Sequence, residues 1–174
     1  AVTAPMGPQV DDTLTAVLQS VEDTDCGLLY ETRDQFGLGY RSAASMANQV
    51  ISATFSSPAA TLDTSLAPTY DDSLTRNNVT VTNWTGWTQQ AILTAGPMSV
   101  LNPPNGIGNG YALTRTVNAA ADTQLPGIAT FLLGQGTVDE IRFPVVTLKM
   151  SRASNAALLT AVPGLRIGDY FQIT

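Results

Sequence analysis

Carboxylates are the main candidates for acid–base catalysis in this sequence, because it contains no His. There are 14 Asp and Glu residues and no His, which excludes Ser-His-Asp and Cys-His nucleophile pairs, His-ligated zinc and the imidazole pH switch. A glycosidase works with two carboxylates held across a cleft. Adjacent carboxylates include the pairs at 11–12, 71–72 and 139–140, but neighbours in a helix or strand point in different directions. We interpret these pairs as helix caps, loop solvation and turns, and we expect no enzymatic activity.

The sequence also predicts no bound metal and no cofactor. Asp63, Asp71 and Asp72 lie in one loop without the ligand spacing of an EF-hand. The glycines of GIGNGY, at 106–111, lie between a proline-rich loop and a strand, with no helix after them to bind a pyrophosphate. The single Cys26 has no His partner and cannot form an internal disulfide. We interpret it as a small buried residue.

Aromatic residues supply the candidate contact sites. Trp84 and Trp87 flank the turn WTGW, where two indoles could stack on sugar rings, fill the groove of a partner protein or fold back on the sheet. The candidate interface residues are Phe36, Tyr70, Trp84, Trp87 and Tyr111, with Arg33, Arg41 and Arg76 as ion-pair partners for an acidic neighbouring surface. The alternative for each of them is a place in the core or on a solvated surface.

The elements that must position these residues alternate between helices and hairpins. Apolar periodicity predicts a helix over 11–24, capped by Asp11 or Asp12 and ended by Gly27. A hairpin follows in GLLYETRDQFGLGYR, at 27–41. The further predicted elements are a helical turn at 42–49, strands at 50–55, 77–83, 88–94, 112–118 and 141–150, helices at 122–138 and 155–162, and two short strands at the end.

This order of elements predicts an α+β fold with mainly antiparallel hairpins and two or three short helices. The chain of 174 residues is long enough for one domain or two small ones. We expect a single β-rich domain or a segment of one, with a division into 1–70 and 71–174 as the alternative. Segments 56–73 and 96–111 are predicted to be exposed loops, because Pro, Gly, Ser and Thr dominate them.

Charge and hydropathy narrow the range of partners. The net charge is −6, and seven Arg with the single Lys149 form no basic patch suited to a phosphate backbone, so we expect no nucleic-acid partner. No apolar run approaches the roughly 18–20 residues of a membrane span. The N-terminal segment AVTAPMGPQV lacks an initiator Met and a hydrophobic signal region, so we interpret the chain as a fragment or a processed product.

A resemblance to a known family rests on seven ordered blocks that cover almost the whole chain. They are MGPQ at 6–9, GLLYETRDQFGLGYRS at 27–42, NQ at 48–49, DDSLTRNNVTVT at 71–82, GPMSVLNPPNGIG at 96–108, LGQGTVDEIRFPVVTL at 133–148 and LRIGDYFQIT at 165–174. In this order they resemble a segment of the minor tail proteins of actinobacterial siphophages, the large proteins of the tail tip.

The resemblance implies a tail-hub-like fold with a β-barrel-like sheet and a structural role in the virion. Such a protein would form a ring in the tail tip or baseplate hub, as a homo-oligomer with a trimer favoured over a hexamer, and would contact other phage tail proteins. The family supplies no catalytic residues. The alternative function, drawn from the residues alone, is a carbohydrate-binding module that adheres to a host-surface glycan through Trp84 and Trp87.

Overall fold

The structure is a computed structural model that describes residues 4–33, 35–55, 69, 72–138, 145–148 and 156–174. The α-helices are α1 (Leu14–Asp25), α2 (Ala43–Ala47), α3 (Leu125–Gly136) and α4 (Ala156–Gly164). The strands are β1 (Leu28–Glu31), β2 (Leu38–Arg41), β3 (Ala53–Phe55), β4 (Asn78–Asn83), β5 (Thr88–Ile92), β6 (Ala112–Val117) and β7 (Phe171–Ile173). Single 3₁₀ turns occur at Asp72–Leu74 and Asp122–Gln124. The α+β prediction is confirmed, with four helices where two or three were expected.

The described strands form three small sheets. β1 and β2 make an antiparallel ribbon, and β4 lies between β5, which is antiparallel to it, and β6, which is parallel. β3 and β7 pair in parallel. β5 ends beside Asn78 at the start of β4, and the long connection at 93–111 crosses to the other side of β4, so that β6 begins beside the same residue and runs parallel to β4. Two of these four pairings are therefore parallel, and no closed barrel forms among the described strands.

The chain forms two compact units. The first comprises Ala1–Ala43 and Asp72–Asp139, and the second comprises Ala44–Asp71 and Glu140–Thr174. The chain crosses between them three times, and one crossing lies beside the boundary that the sequence predicts at residue 70.

The core of the first unit lies between β4 and α3. Val79 and Val81 alternate along β4 and are fully buried, as expected for a strand with one covered face. The buried residues of α3 are Leu125, Ile128, Ala129, Leu132 and Gly136, which have the spacing of a single helical stripe. Val117 of β6 completes this cluster, and the other face of the sheet carries polar residues. The predicted α3 and the second hairpin are thus confirmed.

Both ends of α1 differ by one or two residues from the prediction. Thr13, and neither Asp11 nor Asp12, caps the helix, because its hydroxyl accepts a hydrogen bond of 3.2 Å from the amide of Ala16. At the other end Cys26 adopts the left-handed conformation with φ of 54°. Gly27 is not the C-cap. It allows close packing instead, because a Cβ there would lie 2.4 Å from the hydroxyl oxygen of Tyr40.

The second unit has a small core around Phe55. This ring is 2% exposed and makes an edge-to-face contact with Phe171, with 5.6 Å between ring centroids. Gln49 donates from its side chain to the carbonyl of Gly168 at 2.6 Å, which ties the segment before β3 to the turn before β7. Of the predicted strand at 141–150, the structure describes only residues 145–148, and none of the strands β1–β7 includes them.

Candidate functional site

Three of the eight predicted interface residues lie on the β1–β2 ribbon. Phe36 lies in its turn, and the relative exposure of its side chain is 110%, that of a free residue. Arg33 in the same turn is exposed, whereas Arg41 is half-buried at the opposite end of the ribbon, paired with Leu28. The ribbon thus presents one aromatic ring and one guanidinium group at its tip.

The order of aromatic residues and glycines explains why this ribbon forms. Tyr30 lies opposite Gly39 in the strand register, and its ring covers that glycine so closely that a Cβ would lie 2.6 Å from the ring. Aromatic cover of a strand glycine stabilises such a pair. On β2, burial and the adjacent Asp25 carboxylate both raise the pKa of Tyr40 well above its usual range. The hydroxyl is therefore held protonated as a donor.

Trp84 and Trp87 lie in the turn between β4 and β5 and do not act as a pair. Their side chains are 53% and 63% exposed, and no ring contact joins them. The Trp84 indole N–H donates to the carbonyl of Ala119 at 3.0 Å, so this ring is fixed toward the end of β6. Of the two tryptophans, only Trp84 lines a groove between the N-terminal segment, α1 and the end of β6.

Arg76 and Tyr111 lie at the opposite end of β4. The Tyr111 ring is 38% exposed, and Arg76 donates from Nη1 to the carbonyls of Ser73 at 2.9 Å and Thr75 at 2.5 Å. The Arg76 guanidinium therefore helps to hold the chain before β4. Six residues of strand correspond to about 17 Å, so this group and the two tryptophans mark separate ends of the sheet. Tyr70 lies outside the described residues.

Two asparagines whose burial the sequence does not predict, Asn77 and Asn83, hold both ends of β4. Asn77 donates to the carbonyls of Met98 and Asn109 at 3.0 and 2.9 Å and accepts from the amide of Tyr111 at 2.7 Å. These bonds fix the connection that ends in Tyr111. Asn77 lies between a loop and a strand, and an asparagine at such a position is not predicted to be buried.

Asn83 has the same role at the other end of β4. Its amide donates to the Asp122 carboxylate at 2.7 Å, and its oxygen accepts from the amide of Ala119 at 3.0 Å. Asp122 also accepts from the hydroxyl of Thr85 at 2.8 Å. Asp122, the first residue of the helix predicted at 122–138, thus fixes the turn that carries both tryptophans, and a 3₁₀ turn at Asp122–Gln124 precedes α3.

A groove of about 580 Å³ lies next to Trp84. Residues 8–10 and 12 form one side, α1 forms a second, and Thr116, Val117 and Asn118 form a third. Asp12 and Asp23 are the only charged residues that line it. Its size falls in the range of small-molecule sites. Sequence patterns do not predict this groove, because its formation requires the N-terminal segment to lie beside the end of β6, as the Met6–Ala119 bridge shows.

Two further titratable residues, Asp23 and Cys26, lie close to Arg115. Asp23 forms an ion pair of 3.4 Å with Arg115. Burial raises the pKa of the half-buried Cys26 thiol, and Arg115 partly opposes that shift. No group of three His, Cys, Asp or Glu residues with metal-binding geometry occurs among the described residues. Asp63, Asp71 and the pair Asp139–Glu140 lie outside them.

None of the helices in the described ranges has the length and apolarity that a membrane crossing requires. Comparison with known proteins found no family model that matches the chain and no curated protein that matches it.

Proposed function

We propose that the protein is a structural component of a phage tail tip or baseplate hub. In this role it forms a ring by subunit–subunit contacts in the virion, connects the tail tube to host-recognition proteins and catalyses no reaction. The trimer is favoured over the hexamer. The sequence resemblance in seven ordered blocks supports this proposal, and the exposure of Phe36 is the observation that carries it.

The position of Phe36 supports a contact with a neighbouring chain. A two-stranded ribbon is marginally stable unless another layer covers it, and this ribbon ends in a phenylalanine with 110% relative exposure. Leu38, the first residue of β2, is 59% exposed next to it. Burial of one such side chain contributes about 1.5–3 kcal/mol. A neighbouring subunit would therefore gain stability by covering this tip.

The distribution of the other candidate residues supports contacts on more than one side. A subunit of a closed ring uses two different surfaces, one for each neighbour. The ribbon tip, the turn with Trp84 and Trp87, and the end of the sheet with Tyr111 are three separate exposed aromatic positions. This arrangement fits a subunit that has more than one neighbour.

Photo-cross-linking tests the proposal at the residue that carries it. A photoreactive phenylalanine analogue replaces Phe36 in one variant and the exposed Thr130 of α3 in a matched control. We expect covalent products of two or more chains from position 36 and none above background from position 130. Equal yields of intermolecular product from both positions, or none from position 36, would contradict the proposal.

A further inference from the structure

The groove next to Trp84 has a fixed aromatic surface. The indole N–H is bound to the carbonyl of Ala119 at 3.0 Å, yet the side chain remains 53% exposed. Gly7 packs against the same indole nitrogen, so closely that a Cβ there would lie 2.6 Å from it. The amide of Gly7 also donates to the carbonyl of Asn118 at 2.8 Å. The N–H edge of the ring is thus held in place before any ligand arrives, which lowers the entropy cost of binding.

The polar lining of the groove consists mainly of amide and hydroxyl groups. Gln9 is exposed on the N-terminal segment, and Gln19 and Ser20 lie on α1. Apolar contact comes from Val10 and Val17. Amides that surround an aromatic surface are suited to a ligand with hydroxyl groups at its rim and an apolar C–H face.

The charge of the groove restricts the ligand further. Both charged lining residues, Asp12 and Asp23, are acidic, and the nearby Arg115 is paired with Asp23 at 3.4 Å. A phosphate, sulfate or uronate group would meet like charge here without a cation to balance it. The groove therefore favours neutral ligands over anionic ones.

A peptide is a poorer fit than a saccharide. Peptides that bind by strand addition need a free row of backbone amide and carbonyl groups. Here one side of the groove is α1, whose interior backbone groups are bonded within the helix, and of the edge strand β6 only the last two residues, Thr116 and Val117, line the groove. Apart from the carboxylates of Asp12 and Asp23, the polar side chains of the lining are amides and hydroxyls. Such groups can bind hydroxyl groups that project in several directions.

We propose that this groove binds a neutral oligosaccharide, with Trp84 as the stacking surface and Gln9 and Gln19 as partners for its hydroxyl groups. The site is distinct from the ribbon tip and does not depend on ring formation. It assigns the sugar contact to Trp84 alone and excludes Trp87, which does not line the groove.

Titration with defined sugars tests this site. The probes are the β-1,4-linked hexamers of glucose and of N-acetylglucosamine, with the hexamer of galacturonic acid as the anionic control, and the readouts are tryptophan fluorescence and calorimetry. We expect at least one neutral hexamer to bind and to change the fluorescence of Trp84. The matched variants are Trp84→Ala, which should lose affinity by about tenfold, and Trp87→Ala, which should not.

A third variant keeps the proposal testable if Trp84→Ala is unstable. Gln19 is an exposed position on α1, so Gln19→Ala should fold normally and bind the sugar more weakly. The proposal is overturned if neither neutral hexamer binds, if the galacturonic acid hexamer binds more tightly, or if Trp84→Ala and Gln19→Ala bind as the wild type does. Loss of self-association in Trp84→Ala without any sugar binding would show that a second chain occupies the groove. None of these outcomes affects the cross-linking test at Phe36.

Discussion

The Tyr40 hydroxyl donates a hydrogen bond of 2.7 Å to Asp25, the last residue of α1. The other oxygen of the same carboxylate accepts from the amide of Ala4 at 2.8 Å. One carboxylate therefore joins the N-terminal segment, the first helix and the ribbon. Phe36 lies in the turn at the other end of the ribbon. The hydrogen bonds of Asp25 therefore anchor the ribbon at the end away from Phe36.

This bond predicts a loss of stability at alkaline pH. The pKa of Tyr40 in the folded protein is raised by burial and by Asp25, whereas an unfolded tyrosine has a pKa of about 10. Above pH 10 the unfolded chain releases this proton and the folded chain keeps it, so the free energy of unfolding falls as pH rises. Urea unfolding of wild type and Tyr40→Phe between pH 8 and pH 11 measures this. We expect a steeper decline in the wild type, and parallel curves would show that the bond does not form.

Substitution by alanine at two glycines of α3 should have opposite effects on the free energy of unfolding. At Gly134 a Cβ would meet no atom within 4 Å, but at Gly136 it would lie 2.6 Å from the backbone oxygen of Arg76. Gly134→Ala should raise the free energy of unfolding by about 0.5–1 kcal/mol, because alanine favours the helix. Gly136→Ala should lower it by about 1–3 kcal/mol, because the backbone of Arg76 must shift. Chemical denaturation distinguishes them, and similar values for both would contradict the packing of α3 against this segment.

The buried amide of Asn77 predicts a large effect from a single substitution. Asn77→Ala would remove three partly buried hydrogen bonds, to the carbonyls of Met98 and Asn109 and from the amide of Tyr111, and each is worth about 0.5–1.5 kcal/mol. We expect the free energy of unfolding to fall by at least about 2 kcal/mol. The control is Asn78→Ala. The Asn78 side chain accepts one exposed hydrogen bond from Gln90, which is worth about 0.5–1.5 kcal/mol. An equal loss in the two variants would contradict the role of Asn77.

Local patterns predicted most of the first unit. The apolar spacing of α1 and α3 and the alternation in β4 depend on neighbours in the sequence, so periodicity was enough to place them. The caps were less predictable, because Thr13 and Asp12 are both good capping residues and only the backbone geometry decides between them.

The candidate site depended on contacts between distant segments. Asn83 joins Asp122 across 39 positions of sequence, and Trp84 joins Ala119 across 35. Periodicity does not report such contacts, so neither the groove nor the separation of Trp84 from Trp87 could be predicted. Both indoles are exposed, as contact with a sugar or with a partner protein requires.

Light scattering of the wild type and Phe36→Ser tests the proposed assembly most directly. The side chain of Phe36 makes no buried contribution to the fold, so the variant should unfold at the same denaturant concentration as the wild type. The proposed ring predicts a wild-type mass of three copies of the 18.3-kDa chain, with six as the larger ring, and a mass of one copy for Phe36→Ser. A wild-type mass of one copy at every concentration, or an unchanged oligomer in Phe36→Ser, would contradict it.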